Sequence, residues 1–311
     1  MTPSGQPRGP AESIDPSAVV VATPTPQSRF TSGTLPSLFR QSLGFGRTRL
    51  ALGMLGCVAL VAIVGPLLAP KPPNSFVGPP FQPEFPGAPF GTDSLGRDVL
   101  SRFLSGGRLI LGVALAATAL GVAVGTFLGI AAAYLRGRWD DLLMRINDVF
   151  LAFPMIVFAL LVIATAGAKP WLLIVTVAAG TAPRVARVAR SAALEIVDLE
   201  FIQASEMFGE RRLAILMREL LPNIASPLLV ETSLRLTYSI GVVAALGFLG
   251  FGIQPPDADW GLMIKENQSA LSVQPWPVVL PIIAIALLTI GTNLVADGLA
   301  RALIGIERRE S

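Results

Sequence analysis

Long apolar runs alternate with arginine-bearing polar stretches along this chain, and that alternation limits the fold more than any other feature. Residues 50–69 form an almost unbroken apolar run of ~20 residues, enough for a helix to cross a bilayer. Similar runs cover 109–134 and 146–165, begin at Trp171, cover 223–252, and begin again at Val278, ending near residue 294. Backbone in hydrocarbon must satisfy its own hydrogen bonds, so each run is read as a helix. The expectation is an all-α polytopic membrane protein with six transmembrane helices. A mean hydropathy of +0.63, with 52% hydrophobic and 14% charged residues, agrees with this and not with one or two soluble domains.

Other residue types narrow the chemistry. The chain has no histidine, which excludes histidine acid–base catalysis and histidine metal sites. Its single cysteine, Cys57, excludes an intrachain disulfide. Leu55-Gly56-Cys57 has a faint likeness to a lipoprotein cleavage site, but the apolar run mostly follows the cysteine. Twenty-one of the 24 basic residues are arginine. They gather at the edges of apolar runs, so a pI near 9.5 does not imply nucleic acid.

Residues 1–47, rich in Pro, Ser, Thr and Gly, are expected to form a disordered tail, too long and too weakly patterned for a signal peptide. The first span and an extracytoplasmic segment occupy 48–108, a core of five spans 109–306, and a short tail 307–311. The proline-rich stretch after residue 69 must lie outside the hydrocarbon. It leads to GTDSLGRDVLSR at 91–102, where Thr92 or Asp93 can cap a helix. Asp93 with Arg97, and Asp98 with Arg102, stand at ion-pair spacing.

Within the spans, Gly121, Gly125 and Gly129 make one small stripe for close helix packing. Pro154 should kink the third span and Pro183 interrupt the fourth. Trp260, after Gln254-Pro255-Pro256, suits a membrane interface. Arg184, Arg187 and Arg190 advance about 300° per step and drift slowly around one helix side. Such a stripe has a likeness to a voltage sensor, but it fits better as a cytoplasmic helix extension under the positive-inside rule. Glu231 and Arg235 fall on one face inside the fifth span, either as a structural ion pair or as polar lining of a pathway.

Six spans place both termini on one side. With the termini inside, only Lys71, Arg97, Arg102, Arg108, Lys169 and Lys265 lie outside. Arg235 is within a span and the other basic residues are inside, so the bias favours cytoplasmic termini. The polar stretch 200–222 is then cytoplasmic. Phe201, Ala204 and Phe208 lie at helical spacing before Gly209; Leu213, Met217, Leu220 and Leu221 do so after it. Gly209 can adopt positive φ and turn the chain, and Pro222 should end the second helix. The product is an L-shaped amphipathic knob suited to docking in another protein's groove.

Glutamine, alanine and serine at Gln203, Ala204 and Ser205, then Gly209 and the closing Leu221-Pro222, resemble the EAA loop of ABC-importer permeases. Gln203 departs from the usual acid, and Glu219 stands where many members are apolar. GTDSLGRDVLSR, DVFLAFP at 148–154, PRVAR at 183–187, the segment from Leu246 through Trp260-Gly261-Leu262-Met263, and NLVADGL at 293–299 resemble, in order, the C-type permeases of oligopeptide, dipeptide and nickel importers. The resemblance covers about 40–306. It implies a type I ABC-importer permease fold in the inner (plasma) membrane. It also implies a cytoplasmic coupling helix carrying Gln203, Ala204, Ser205, Gly209, Leu221 and Pro222. Partners implied are a second homologous permease, two ATP-binding subunits that hold ATP and magnesium, an extracytoplasmic substrate-binding protein, and membrane lipid. These 311 residues hold no G-x-x-x-x-G-K-[ST] loop, so the chain is read as a permease subunit without cofactor or catalytic residue of its own. Peptide is the expected substrate, nickel or another small solute the alternative. An ion channel, or a proton-driven transporter using Glu231 or Asp297, are readings that leave the 200–222 loop unexplained.

Overall fold

A computed structural model describes residues 42–44 and 46–310, with side chains as far as Ala302. Most of the expected tail, and the side chains of Arg308 and Arg309, lie outside the described residues. Helices are α1 (Gly46–Leu68), α2 (Val99–Leu135), α3 (Gly137–Ala152), α4 (Met155–Ala166) and α5 (Pro170–Ile196). There follow α6 (Glu200–Met207), α7 (Arg212–Ala214), a π-helical stretch (Ile215–Leu220) and α8 (Leu221–Asn223). The chain ends with α9 (Ala225–Leu249), α10 (Trp260–Asn267), a 3-10 turn (Gln268–Ala270) and α11 (Trp276–Glu310). Among the described residues, α1, α2, α5, α9 and α11 are long and apolar enough to span a membrane.

The expected third span is two helices, α3 and α4, bent by 83°. Pro154 does more than kink it. Proline pushes its predecessor out of the α region, and Phe153 (ψ 130°) and Pro154 (ψ 118°) are both extended. Two extended residues in succession break the ladder. Pro183 has the opposite outcome from the one expected, because α5 runs through it unbroken. Nearby carbonyls find side-chain donors: Asn147 Nδ2 donates to Pro183 O at 3.0 Å, and Arg184 Nη1 to Gly180 O at 3.3 Å.

Packing on α2 also holds α5 straight. The glycine stripe faces it: a methyl group on Gly121 would overlap Thr181, one on Gly125 the Ala182 carbonyl, and one on Gly129 the Ala186 carbonyl. Small residues allow this backbone approach, as expected for helices that associate in lipid. One apolar core gathers Ile110, Val113, Leu173, Val177, Ile240 and Leu246 with Trp260 and Met263 of α10. A second joins the ends of α2 and α5 to the 200–224 segment.

The segment between α1 and α2 is irregular and folds over α10. GTDSLGRDVLSR is the clasp that holds it. Asp93 accepts the Leu95 and Arg97 amides at 2.9 Å and the Arg97 side chain at 2.6 Å. Arg97 also reaches Glu266 of α10 at 2.6 Å. The second expected ion pair, Asp98 with Arg102, does not form. Asp98 is the N-cap of α2, where it accepts the Ser101 amide and hydroxyl, so capping falls to Asp98 and not to Thr92 or Asp93. Arg102, fully buried, turns instead to Asp93 at 3.5 Å, Glu266 at 3.3 Å and Asn74 at 3.1 Å.

Trp260 does not face outward. It is fully buried, stacked on Phe103 (5.6 Å between centroids, 18°), with its Nε1 donating to Phe103 O at 2.8 Å. Gly106 and Gly107 of α2 leave the space that the indole fills.

Candidate functional site

The 200–222 stretch forms the knob the sequence suggests, with an unforeseen inner face. After α6, Gly209 takes φ +74°. Its amide donates to Glu206 O at 3.0 Å, and the Glu210 amide to Ser205 O at 3.1 Å, the paired bonds of a Schellman cap. Polarity then alternates by depth. Ile202, Ile215, Leu216 and Leu220 pack inward on Ile130 and Ala133 of α2 and Val185, Ala189 and Ala193 of α5. Met207 and Phe208 are 85% and 88% exposed, and Leu213 and Met217 are exposed beside them. The sequence puts Phe201, Ala204 and Phe208 on one apolar face before Gly209, and Leu213, Met217, Leu220 and Leu221 on another after it. In fact Leu220 belongs to the core, Phe201 and Leu221 are half-buried, and Phe208, Leu213 and Met217 form the outer apolar face. Ile202, Ile215 and Leu216 were readable as a second stripe.

Pro222 does not end the helical path. It lies in the short turn α8, and the break comes at Ile224 (φ −99°, ψ 6°). Just before it the ladder widens to π spacing, with the Leu221 amide donating to Leu216 O. A proline removes one donor, and a widened turn is a common accompaniment of such a defect. Gln203, at the position of the missing acid, donates from Nε2 to Asp198 O at 3.0 Å, so its side chain tethers the loop's own entry. Ser205 Oγ donates to Phe201 O at 3.1 Å. Asp198 also pairs with Arg136, which ties the end of α2 to the start of the knob.

The arginine stripe joins this end of the bundle to α3. Arg190 holds Asp140 through two bonds, 2.6 and 2.5 Å, and Arg187 reaches Asp148 at 2.7 Å. Within α9, Arg235 and Glu231 form the expected ion pair at 2.8 Å, both largely buried. Arg235 lies 5.9 Å from the Tyr238 ring centroid, and Arg184 of α5 lies 5.0 Å from the same centroid. Tyr238, which no sequence pattern singled out, thus joins two charged helices. Asp297 is exposed on α11, well along the chain from this cluster. Among the described residues no group of three or more Cys, Asp or Glu side chains is placed to hold a metal ion.

At the opposite end, Asp259 caps α10 by accepting the Leu262 amide at 3.0 Å. Burial pushes its carboxyl up to about 6, against the lowering effects of the Leu262 and Gly261 amides and of Arg102.

The 200–222 segment is thus an amphipathic loop between two spans, braced on the bundle and apolar on its outer face. The model of the binding-protein-dependent transport system inner membrane component matches residues 125–305, which include the whole loop. The chain belongs to this family. A putative peptide transport system permease protein of Brucella abortus biovar 1 is 35% identical over 91% of this chain and 96% of its own length. The glutathione transport system permease protein GsiD of Shigella dysenteriae serotype 1 is 40% identical over 69% of this chain and 71% of its own. Among solved structures, the MetNI methionine ABC transporter, inward facing, matches 61% of this chain and 93% of its own chain at 20% identity and a TM-score of 0.48. The protein is therefore an inner-membrane permease subunit of a binding-protein-dependent transport system, with several membrane-spanning helices.

Proposed function

We propose that this permease subunit forms half of the translocation pathway of an ATP-driven peptide importer. Its 200–222 loop is the contact through which partner ATPases move the bundle. Both termini and the loop are cytoplasmic. The complete assembly holds a second, homologous permease, two ATP-binding subunits and an extracytoplasmic substrate-binding protein. Peptide is the substrate favoured by the relatives, one of them a putative peptide permease and another a glutathione permease.

The observation that carries the coupling role is the exposed apolar edge of Met207, Phe208, Leu213 and Met217 on a segment whose other face is locked into the core. Exposed apolar patches of this kind mark contact sites. A docked lever must be soft at neither end. Here Ile215 and Leu220 anchor it to α2 and α5, and the ion pairs of Arg187 and Arg190 carry α3 along. Closure of the ATPases would then shift α2, α3, α5 and α9 together, opening the path outward to receive substrate. Differences in binding energy between the two states suffice for this, with no covalent chemistry in the permease.

The test begins with purification of the complex from its native membrane in mild detergent. Co-purification of a second permease and ATP-binding subunits is expected, followed by ATP-driven peptide uptake in proteoliposomes. Gly209→Pro should abolish uptake while leaving insertion intact. Proline cannot reach φ +74° and lacks the amide that bonds Glu206. Normal uptake by that variant would remove the coupling role. Uptake of nickel but not of peptide would replace the substrate and keep the fold and the coupling.

A further inference from the structure

The three arginines of α5 differ in their partners. Arg187 and Arg190 are each matched by an aspartate of α3. Arg184 is in no ion pair among the described residues; its guanidinium has the Gly180 carbonyl at 3.3 Å and the Tyr238 ring at 5.0 Å. Arg235, the other cation on that ring, is matched by Glu231 at 2.8 Å. Two cations and one acid therefore surround Tyr238, and the uncompensated charge is that of Arg184.

Its position makes this unusual. Arg184 lies midway along α5, with about 20 Å of helix on either side. Tyr238 is midway along α9. A half-buried cation with no acid beside it is costly and, in a membrane protein, marks a solute path or a water-filled cavity. Stacking on one tyrosine offsets only part of the cost. A small cavity lies against Arg184, walled by Phe150, Phe153, Met155, Phe158 and Gly180, and Arg184 is the only charged group in its lining. The cavity sits where α3 and α4 part. Broken helices are tolerated in a bilayer where they line a cavity, and such breaks border the binding sites of other transporters.

We propose that Arg184, backed by Tyr238, is an anion-reading position of the translocation path, which takes the carboxylate of a passing peptide. The proposal rests on the peptide reading above. A planar guanidinium in apolar, aromatic surroundings can engage a carboxylate through two parallel bonds, and it has nothing comparable to offer a carboxamide. A lipid phosphate could engage the same fork, but its loss would lower uptake of acid and amide alike. The Glu231–Arg235 pair keeps the second cation neutralised, so a single carboxylate balances the site.

The test uses the whole complex in proteoliposomes with saturating binding protein. ATP-driven uptake of a tripeptide with a free C-terminus is compared with that of its C-terminal amide. Wild type is expected to prefer the free acid. Arg184→Gln should lower free-acid uptake about tenfold, the scale of one charge-assisted hydrogen bond, and leave amide uptake within about twofold, so the preference collapses. Arg184→Lys, which keeps the charge and loses the fork, should lower the acid-to-amide ratio by less, about threefold. An equal fall for both peptides would make Arg184 a structural post and overturn the proposal. So would an unchanged ratio in the Gln variant, or in the Lys variant if the Gln variant does not assemble. A wild type that carries acid and amide equally overturns the subsite alone; one that carries no peptide overturns the peptide reading and the subsite with it.

Discussion

The indole nitrogen of Trp260 donates to the carbonyl oxygen of Phe103 at 2.8 Å, across 157 residues of sequence. This bond joins α10 to the first turns of α2, and the indole fills the space left by Gly106 and Gly107. Trp260→Phe should keep most of the packing and lose the bond, costing about 1 kcal/mol. Trp260→Ala should cost about 3–5 kcal/mol, since the fixed backbones around it cannot close the cavity. Thermal unfolding in detergent ranks the two. If Trp260→Ala melts with wild type, the tryptophan is not the keystone of this end.

The contact between α2 and α5 depends on absent side chains. A Cβ at Gly125 would strike the Ala182 carbonyl, which is backbone and cannot rotate away. Gly125→Leu should therefore separate the helices and eliminate assembled complex, and even Gly125→Ala should lower the melting temperature. Gly112, on the same helix, has nothing within 4 Å of such a carbon. Gly112→Ala should be neutral or stabilising by up to about 1 kcal/mol, the helix preference of alanine over glycine. Equal behaviour of the two alanine variants would show that the stripe is not a packing surface.

Periodicity and length made the spans legible because hydrocarbon imposes one solution on each run. The Gly121–Gly129 stripe was legible for a similar reason: three small residues at one spacing have one face. The bend at Pro154 was legible, whereas Pro183 and Pro222 lie inside helices they were expected to break or end. Pro154 and Pro183 carry the same local penalty, but α5 is clamped along α2 and keeps its helix, whereas Phe153 has no such clamp and yields. The burial of Trp260 was not legible because the space it fills belongs to Gly106 and Gly107, more than 150 residues earlier. Asp98 and Arg102 had ion-pair spacing, but a helix N-terminus competed for the carboxylate and Glu266, distant in sequence, for the guanidinium. The knob's turn at Gly209 was readable. The division of its apolar residues between core and surface required knowing where α2 and α5 end.

Asp259 gives the α10 end of the bundle a pH dependence. Its carboxyl is raised from an ordinary 3.8 to about 6 by burial, with Arg102 the charged group that opposes the rise. In this range the folded protein binds the proton more tightly than the unfolded chain does. Stability therefore falls as pH rises from about 4 to about 6, by on the order of 3 kcal/mol across the whole window. Asparagine keeps an oxygen for the Leu262 amide and carries no charge. Asp259→Asn should thus flatten this part of the profile and melt above wild type at neutral pH. Melting curves between pH 4 and pH 7 decide it. A wild type that gains stability over that window more than the variant does would reverse the sign and refute the assignment.

Glu231 and Arg235 test whether buried charge in α9 is structural. The pair is closed at 2.8 Å and largely shielded from solvent. Removing one member leaves the other buried without its partner, which typically costs about 3–5 kcal/mol, whereas replacing both with apolar groups is often neutral. Glu231→Gln alone should therefore reduce assembled complex and uptake together. Glu231→Leu combined with Arg235→Leu should restore assembly, because two leucines suit the same surroundings without desolvated charge. Uptake separates the two roles. If the double variant assembles and transports at the wild-type rate, the pair is a brace between Tyr238 and the rest of the bundle. If it assembles and does not transport, the charges themselves face the moving solute, and Arg184 does not act alone on the path.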